Sequence, residues 1–124
     1  MQSDFREHTF EHPLVAVDIV VLAIRDGGLS VALIRRARAP FEGKWALPGG
    51  FVRKEETLEV AALRELREET ALRVPSAYLE QLYTFGGVRR DPRGRIISVT
   101  HLALIVGDTV EPHGGSDAAE ARWF

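Results

Sequence analysis

LEVAALRELREET, residues 58–70, is built from strong helix formers and contains neither glycine nor proline, so it predicts a helix. Thr57, just ahead of it, suits an N-cap, with Val60 at the third helical position where a capping box would carry Glu. At about 100° per residue, Leu58, Ala62, Leu63 and Leu66 fall in one arc of roughly 140°, the face expected to pack on a sheet. Glu65, Glu68 and Glu69 fall in a neighbouring arc of roughly 100°. The like-charge pairs Glu65–Glu69 and Glu65–Glu68 each cost about 0.2–0.5 kcal/mol in a helix, so a cation is expected nearby. Arg64 reaches Glu68 at i,i+4, but one arginine cannot neutralise three acids, and Arg67 lies on roughly the opposite side. Clustered, all-oxygen ligands suit Mg²⁺ or Mn²⁺, which keep several waters and bridge to phosphates. Taken alone, the helix is read more simply as an acidic face in solvent.

On either side of this helix the pattern is that of strands. Val15–Arg25 is apolar and β-branched and ends at the turn Asp26-Gly27-Gly28, and Leu29–Arg36 pairs back through that turn. Ala37–Lys44 carries Pro40 and Gly43 and reads as a loop, followed by the short apolar piece Trp45-Ala46-Leu47, stopped by Pro48-Gly49-Gly50. Beyond the helix, Tyr78–Phe85 reads as a strand, Gly86–Arg95 as a turn-rich loop and Ile96–Val106 as a long strand. Ala121–Phe124 resembles the start of another. Strands before and after one strong helix predict an α/β (α+β) layer fold with a mixed sheet.

Composition bounds the function. The 124 residues, 45% hydrophobic and 27% charged, suit a single domain over 1–124, with residues 1–13 as a polar lead-in. No stretch approaches the roughly 20 apolar residues of a membrane helix, and the first residues lack the apolar core of a secretory signal, so no membrane partner and a cytoplasmic location are expected. The absence of Cys excludes a disulfide scaffold, a Cys-ligated zinc site and a cysteine nucleophile. A net charge of −2 gives no global field for nucleic acid, and none is expected as a partner.

With Gly50, Glu56, Arg64, Glu65, Leu66, Glu68, Glu69 and Leu72 in register, residues 50–72 resemble the box of the Nudix hydrolase family, G-x5-E-x7-R-E-U-x-E-E-x-G-U, where U is a bulky apolar residue. One position departs: Ala71 stands where the final Gly belongs, which puts the exit from the helix in question, since Ala in a left-handed cap costs roughly 1 kcal/mol. WALPGGFV before the box and the terminal E-A-R-W-F are also Nudix-like. The resemblance implies an α/β/α sandwich around a mixed central sheet. Such domains usually continue past E-A-R-W-F into a helix, so the terminal helix is expected to be missing, with either a C-terminally trimmed chain or a partner that covers the exposed apolar face.

The resemblance further implies Mg²⁺-dependent hydrolysis, with Mn²⁺ as a substitute, of a nucleoside diphosphate linked to another moiety. Glu65, Glu68 and Glu69 are the implied metal ligands, with one of the latter two as general base, and Arg64 orients a carboxylate. Glu56 anchors the loop or adds a water-mediated ligand, and Gly49 and Gly50 let backbone approach the site or form a plain turn. In the 86–95 loop, Arg90 and Arg93 belong to a run of arginines suited to clamping phosphates or to a solvated hairpin tip. Asp117 occupies the place of an additional family acid, whereas Glu120 reads better as a strand-edge salt-bridge residue. Tyr83, Phe85 or Phe51 are candidates to stack on adenine. His8 and His12 lie in the polar lead-in, His101 reads as a satisfied sheet residue, and Asp18 is an odd acid within an apolar strand.

YLEQLYTFGG and DPRGRIISV resemble the subgroup of ADP-ribose pyrophosphatases and Nudix-related regulators of NAD metabolism. The substrate expected from this is ADP-ribose, cleaved to AMP and ribose 5-phosphate. The alternative is an ADP-ribose-sensing ligand-binding domain of a transcriptional regulator. Related enzymes are commonly dimers, so a homodimer is the expected assembly.

Overall fold

The computed structural model describes residues 12–75, 78–105 and 111–124. In chain order the elements are β1 (Leu14–Arg25), β2 (Gly28–Arg36), β3 (Trp45–Ala46), β4 (Gly49–Phe51), α1 (Leu58–Thr70), β5 (Leu79–Phe85), β6 (Ile96–Ile105) and β7 (Ala118–Trp123). The polar lead-in over residues 1–11, including His8, and the end of the last long strand at Val106 lie outside the described residues.

β1 and β2 form a hairpin in which Arg25 faces Gly28. Asp26 and Gly27 both take positive φ, 50° and 76°, the twist that a two-residue Asp-Gly turn supplies to right-twisted strands. β1 then pairs with β6 in parallel from Leu14↔Ile96 to Ala23↔Ile105, which requires a long crossover, and α1 and β5 lie within it. β5 is antiparallel to β6, β4 is antiparallel to the first half of β1, and the second half of β2 takes β3 and β7 as antiparallel partners. The sheet is therefore mixed, in the order β3-β2-β1-β6-β5, with β4 on β1 and β7 on β2.

One face of β1 builds the core. Val17, Ile19 and Val21 are fully buried with Ala61, Ala62 and Leu66 of α1 and with Leu72, Val74, Leu79 and Ala103. Burial of a side chain such as Leu66 is worth roughly 2 kcal/mol. Ala61 is fully buried while Leu58 and Leu63 only pack against the cluster, so the buried stripe is turned slightly from the one expected. Small alanines at 61 and 62 let the helix come close to the sheet.

The helix has the bounds expected. Thr57 caps it by accepting from the Val60 N–H at 3.1 Å. Ala71 takes the left-handed conformation, φ 63°, and its N–H donates to the Arg67 carbonyl at 2.9 Å, so the helix leaves as a glycine would direct it. Thr70 secures that exit: its hydroxyl donates to the Leu66 carbonyl and accepts from the Leu72 N–H.

Two expectations change. Gly49 and Gly50 stand in strand β4 rather than ending one, because both pair with β1. The last strand starts at Ala118, earlier than Ala121, since Ala118 and Ala121 pack on Ile34. Alanine has low strand propensity, and this packing together with pairing to β2 makes the segment a strand. Among the described residues no helix is long and apolar enough to cross a membrane.

Candidate active site

The face of β1 opposite the core, the C-terminal half of α1, β4 and the 86–95 loop enclose a cleft of about 510 Å³. Its lining includes Asp18, Gly49, Gly50, Phe51, Glu65 and Glu69. Such a volume suits a ligand of nucleotide size.

The acid wall is organised by Arg64, only 8% exposed. Its Nε donates to Glu56 Oε2, Nη2 donates to Glu56 Oε1 at 2.8 Å and to the Phe51 carbonyl at 3.0 Å, and Nη1 donates to Glu65 Oε1. Nη1 also lies 3.4 Å from Glu68. A planar fork with fixed donors thus ties helix, β4 and the preceding loop together. The Arg64 guanidinium holds the Glu56 carboxyl down at about 2, against burial, with help from the Arg53 N–H. Glu56 and its neighbours in turn hold the guanidinium above its ordinary value.

Glu69 is 4% exposed, so the acids are not simply a solvated helix face. Its Oε1 accepts from the Gly49 N–H at 2.8 Å. Burial pushes its carboxyl up to about 8, outweighing the Gly49 hydrogen bond, and the charges of Glu65 and Asp117 push the same way. Burial likewise raises Glu65, against its bond to Arg64. Gly50 is bare for a reason: a Cβ there would stand 2.6 Å from the Glu65 carboxyl carbon.

The three glutamates do not converge as the helical wheel suggested. Glu65 and Glu69 line the cleft, whereas Glu68 does not and is drawn instead to Arg64 and to Arg53 at 3.6 Å. Among the described residues no three Asp, Glu or His side chains gather closely enough to enclose an ion. Arg53, a cation from the loop before the helix, is the partner that spacing along the helix could not reveal.

Of the arginine loop, Arg90 and Arg93 line the cleft, while Arg95 turns to the Gly86 carbonyl. Asp91 accepts from the Arg93 side chain through both oxygens, at 3.0 and 2.9 Å, and Arg93 lies over the Phe51 ring at 4.9 Å. Phe51 is the candidate stacking ring that the cleft contains. Tyr83 and Phe85 touch each other on the exposed β5 strand and do not line it. Asp117 lines the cleft and lies 3.4 Å from Arg38, and Glu120 pairs with Arg35 and Arg122 outside it. His101, fully buried, has Nδ1 3.2 Å from the Val99 carbonyl, while Nε2 has no hydrogen-bond partner among the described residues. Sequence reasoning also missed Arg36 and Ser98, which reach the cleft from β2 and β6. Alternation along each strand was the available signal.

A family model described as NUDIX domain matches residues 12–124. The ADP-ribose pyrophosphatase of Methanocaldococcus jannaschii is 40% identical over 113 residues, 91% of this chain and 62% of that protein. The ADPR responsive transcriptional repressor NtrR of Acinetobacter baylyi is 37% identical over 105 residues, 83% of this chain and 41% of the repressor. Among solved structures, the NUDIX domain of Shewanella oneidensis NrtR complexed with ADP ribose superposes with a TM-score of 0.83 at 33% identity, over 100% of this chain and 82% of that one. The chain spans less than two thirds of the length of both curated relatives.

Proposed function

The chain belongs to the Nudix family, and from that membership we propose that it hydrolyses ADP-ribose to AMP and ribose 5-phosphate with a divalent cation, Mg²⁺ or Mn²⁺. The observation that carries this reading is the pair of desolvated carboxylates, Glu65 and Glu69, on one wall of a nucleotide-sized cleft whose other wall carries Arg90 and Arg93. A buried Glu69 and a half-buried Glu65, whose charge adds to the proton affinity of Glu69, form an all-oxygen donor set suited to a hard cation, and Gly50 leaves the backbone beside them uncovered. Glu65 and Glu69 would hold the cation from the cleft wall, with Glu68 joining them once turned from Arg53 and Arg64. When bound, a divalent ion neutralises diphosphate charge and lowers the pKa of a water.

The chain's own groups do the rest. Arg64 fixes Glu65 in place, and the Gly49 N–H fixes Glu69. Glu68 or Glu69 takes the proton of the attacking water as its oxygen bonds to phosphorus and the anhydride P–O bond breaks toward the departing phosphate. Arg90 and Arg93 face the charge of the diphosphate.

Product analysis after incubation with ADP-ribose and Mg²⁺ tests the reading. We expect AMP and ribose 5-phosphate, with Glu69→Gln lowering turnover about 100-fold or more. No turnover across a panel of nucleoside diphosphate derivatives, or turnover indifferent to both Glu68→Gln and Glu69→Gln, would overturn it. The likeness to an ADPR responsive repressor supports a second reading, ADP-ribose binding without hydrolysis. Calorimetric binding with no product formed would select that one.

A further inference from the structure

Asp18 sits in the middle of β1 on the face opposite the core, between Val17 and Ile19, which are both fully buried on the other side. Strand alternation therefore delivers a carboxylate to the floor of the cleft. One oxygen, Oδ2, accepts from the Ser98 hydroxyl on β6. Among the described residues, Oδ1 accepts no hydrogen bond. Arg36, Arg90 and Arg93 all act on it electrostatically, yet each is anchored elsewhere: Arg36 to the Pro40 carbonyl, Arg90 to the Ile96 carbonyl and Arg93 to Asp91. None of them forms an ion pair with Asp18. Burial accordingly pushes this carboxyl up, against the Ser98 hydrogen bond. A half-satisfied acid costs stability where it stands, so the fold itself gains little from keeping it.

Its position relative to the acid wall identifies what could complete it. Gly49 links the two: its N–H donates to Glu69, and a Cβ on the same residue would stand 2.5 Å from Asp18 Oδ1. Asp18 is thus one residue's width from the carboxylates on which the diphosphate chemistry is proposed to occur. A further cation is disfavoured by the three guanidiniums around it. The exocyclic amine of a base lies a whole sugar away from the phosphate. The donor that is both neutral and adjacent to a phosphate is a sugar hydroxyl.

We propose that Asp18, oriented by Ser98, accepts a hydrogen bond through Oδ1 from a hydroxyl of the ribose next to the scissile diphosphate and so selects ribose-bearing substrates. The inference rests on the ADP-ribose reading, whether the molecule turns over or is only bound. ADP-ribose carries two such sugars, and the shared chemistry is a ribose hydroxyl beside phosphate.

The test pairs protein variants with ligand analogues. Dissociation constants from calorimetry, and kcat and KM where turnover occurs, are measured for ADP-ribose and for its two deoxy analogues, one lacking the 2-hydroxyl of the adenosine ribose and one lacking that of the terminal ribose. Wild type should bind one analogue about tenfold to a hundredfold more weakly than ADP-ribose, which identifies the sugar. Asp18→Ala should weaken ADP-ribose by the same factor, chiefly through Kd and KM, and should no longer distinguish the two ligands. Ser98→Ala should show the same loss in smaller measure. Asp18→Asn, which keeps the shape without the charge, should melt no lower than the parent, because the amide oxygen can still accept from Ser98 and no buried charge remains.

Asp18→Ala weakening ADP-ribose and both analogues equally, leaving Kd unchanged, or Asp18→Asn losing several degrees of melting temperature would each overturn the assignment. Wild type that neither binds nor cleaves ADP-ribose defeats the functional reading and this inference together. Wild type that does either, with no coupling between Asp18 and a hydroxyl, defeats this inference alone.

Discussion

The two walls of the cleft carry opposite charge and are built in opposite ways. The acid wall comes from one helix and the strand it packs on; Arg64 and Glu69 are buried, and each is held by partners distant in sequence. The arginine wall is a loop, and Arg93, its side chain 41% exposed, is held by Asp91 two residues away and by the Phe51 ring. Charges withdrawn from water need fixed partners from several elements, or their desolvation goes uncompensated. Charges at a loop tip need only a near neighbour, because solvent screens the remainder. The first wall is therefore rigid and coupled to folding, and the second is replaceable at little cost to the fold.

Removing Arg64 should break the comparison most severely. Arg64→Ala strands Glu56 and Glu65 without their common partner, so the melting temperature should fall by about 10 °C or more and any turnover should disappear. A melt within a degree or two of the parent would mean that the acid wall does not depend on this guanidinium. Arg93→Ala should do the converse. Its melting temperature should stay within about 2 °C of the parent while ADP-ribose affinity drops roughly tenfold, the loss shrinking as salt is raised. Loss of stability comparable to that of Arg64→Ala would erase the distinction between the walls.

The smallest effect concerns Asp91. The Arg93 guanidinium holds its carboxyl at about 2, below the ordinary 3.8. A carboxyl depressed in the folded state contributes its full stabilisation above the unfolded value, and that contribution is lost as pH falls from about 3.8 through about 2. Carboxyl NMR should show the midpoint near 2 in the parent and a return toward 3.8 in Arg93→Ala. Equal midpoints in the two proteins would mean that the loop pair is not formed in solution.

The two walls also differ in how far they could be read from the residues. The acid wall follows from local rules: helix formers without glycine or proline, a Thr cap, and acids at i, i+3 and i+4 place Glu65, Glu68 and Glu69 beside the buried stripe. Even there, the direction of each carboxylate was not legible. Arg53, Gly49 and Arg64 draw the three apart, and two of those partners lie outside the helix. For the arginine wall, composition showed the loop and its charges, but which arginines turn into the cleft depends on how the β5–β6 connection folds over Phe51. The same limit hid the first residues of β7, where Ala118 joins the strand by packing on Ile34 and pairing with β2.

By itself the sequence determined the helix and its N-cap, the β1–β2 hairpin, and the box of spaced Gly, Glu and Arg residues, because these depend on interactions among residues a few positions apart. Only the tertiary structure decided that Asp18 and Ser98 meet on the cleft floor, that Gly50 must be bare beside Glu65, and that Arg64 is the buried tie between loop, strand and helix. Each of those depends on a parallel pairing or a crossover that brings distant segments together, and burial there sets the charge state and the partners that spacing along the chain leaves open.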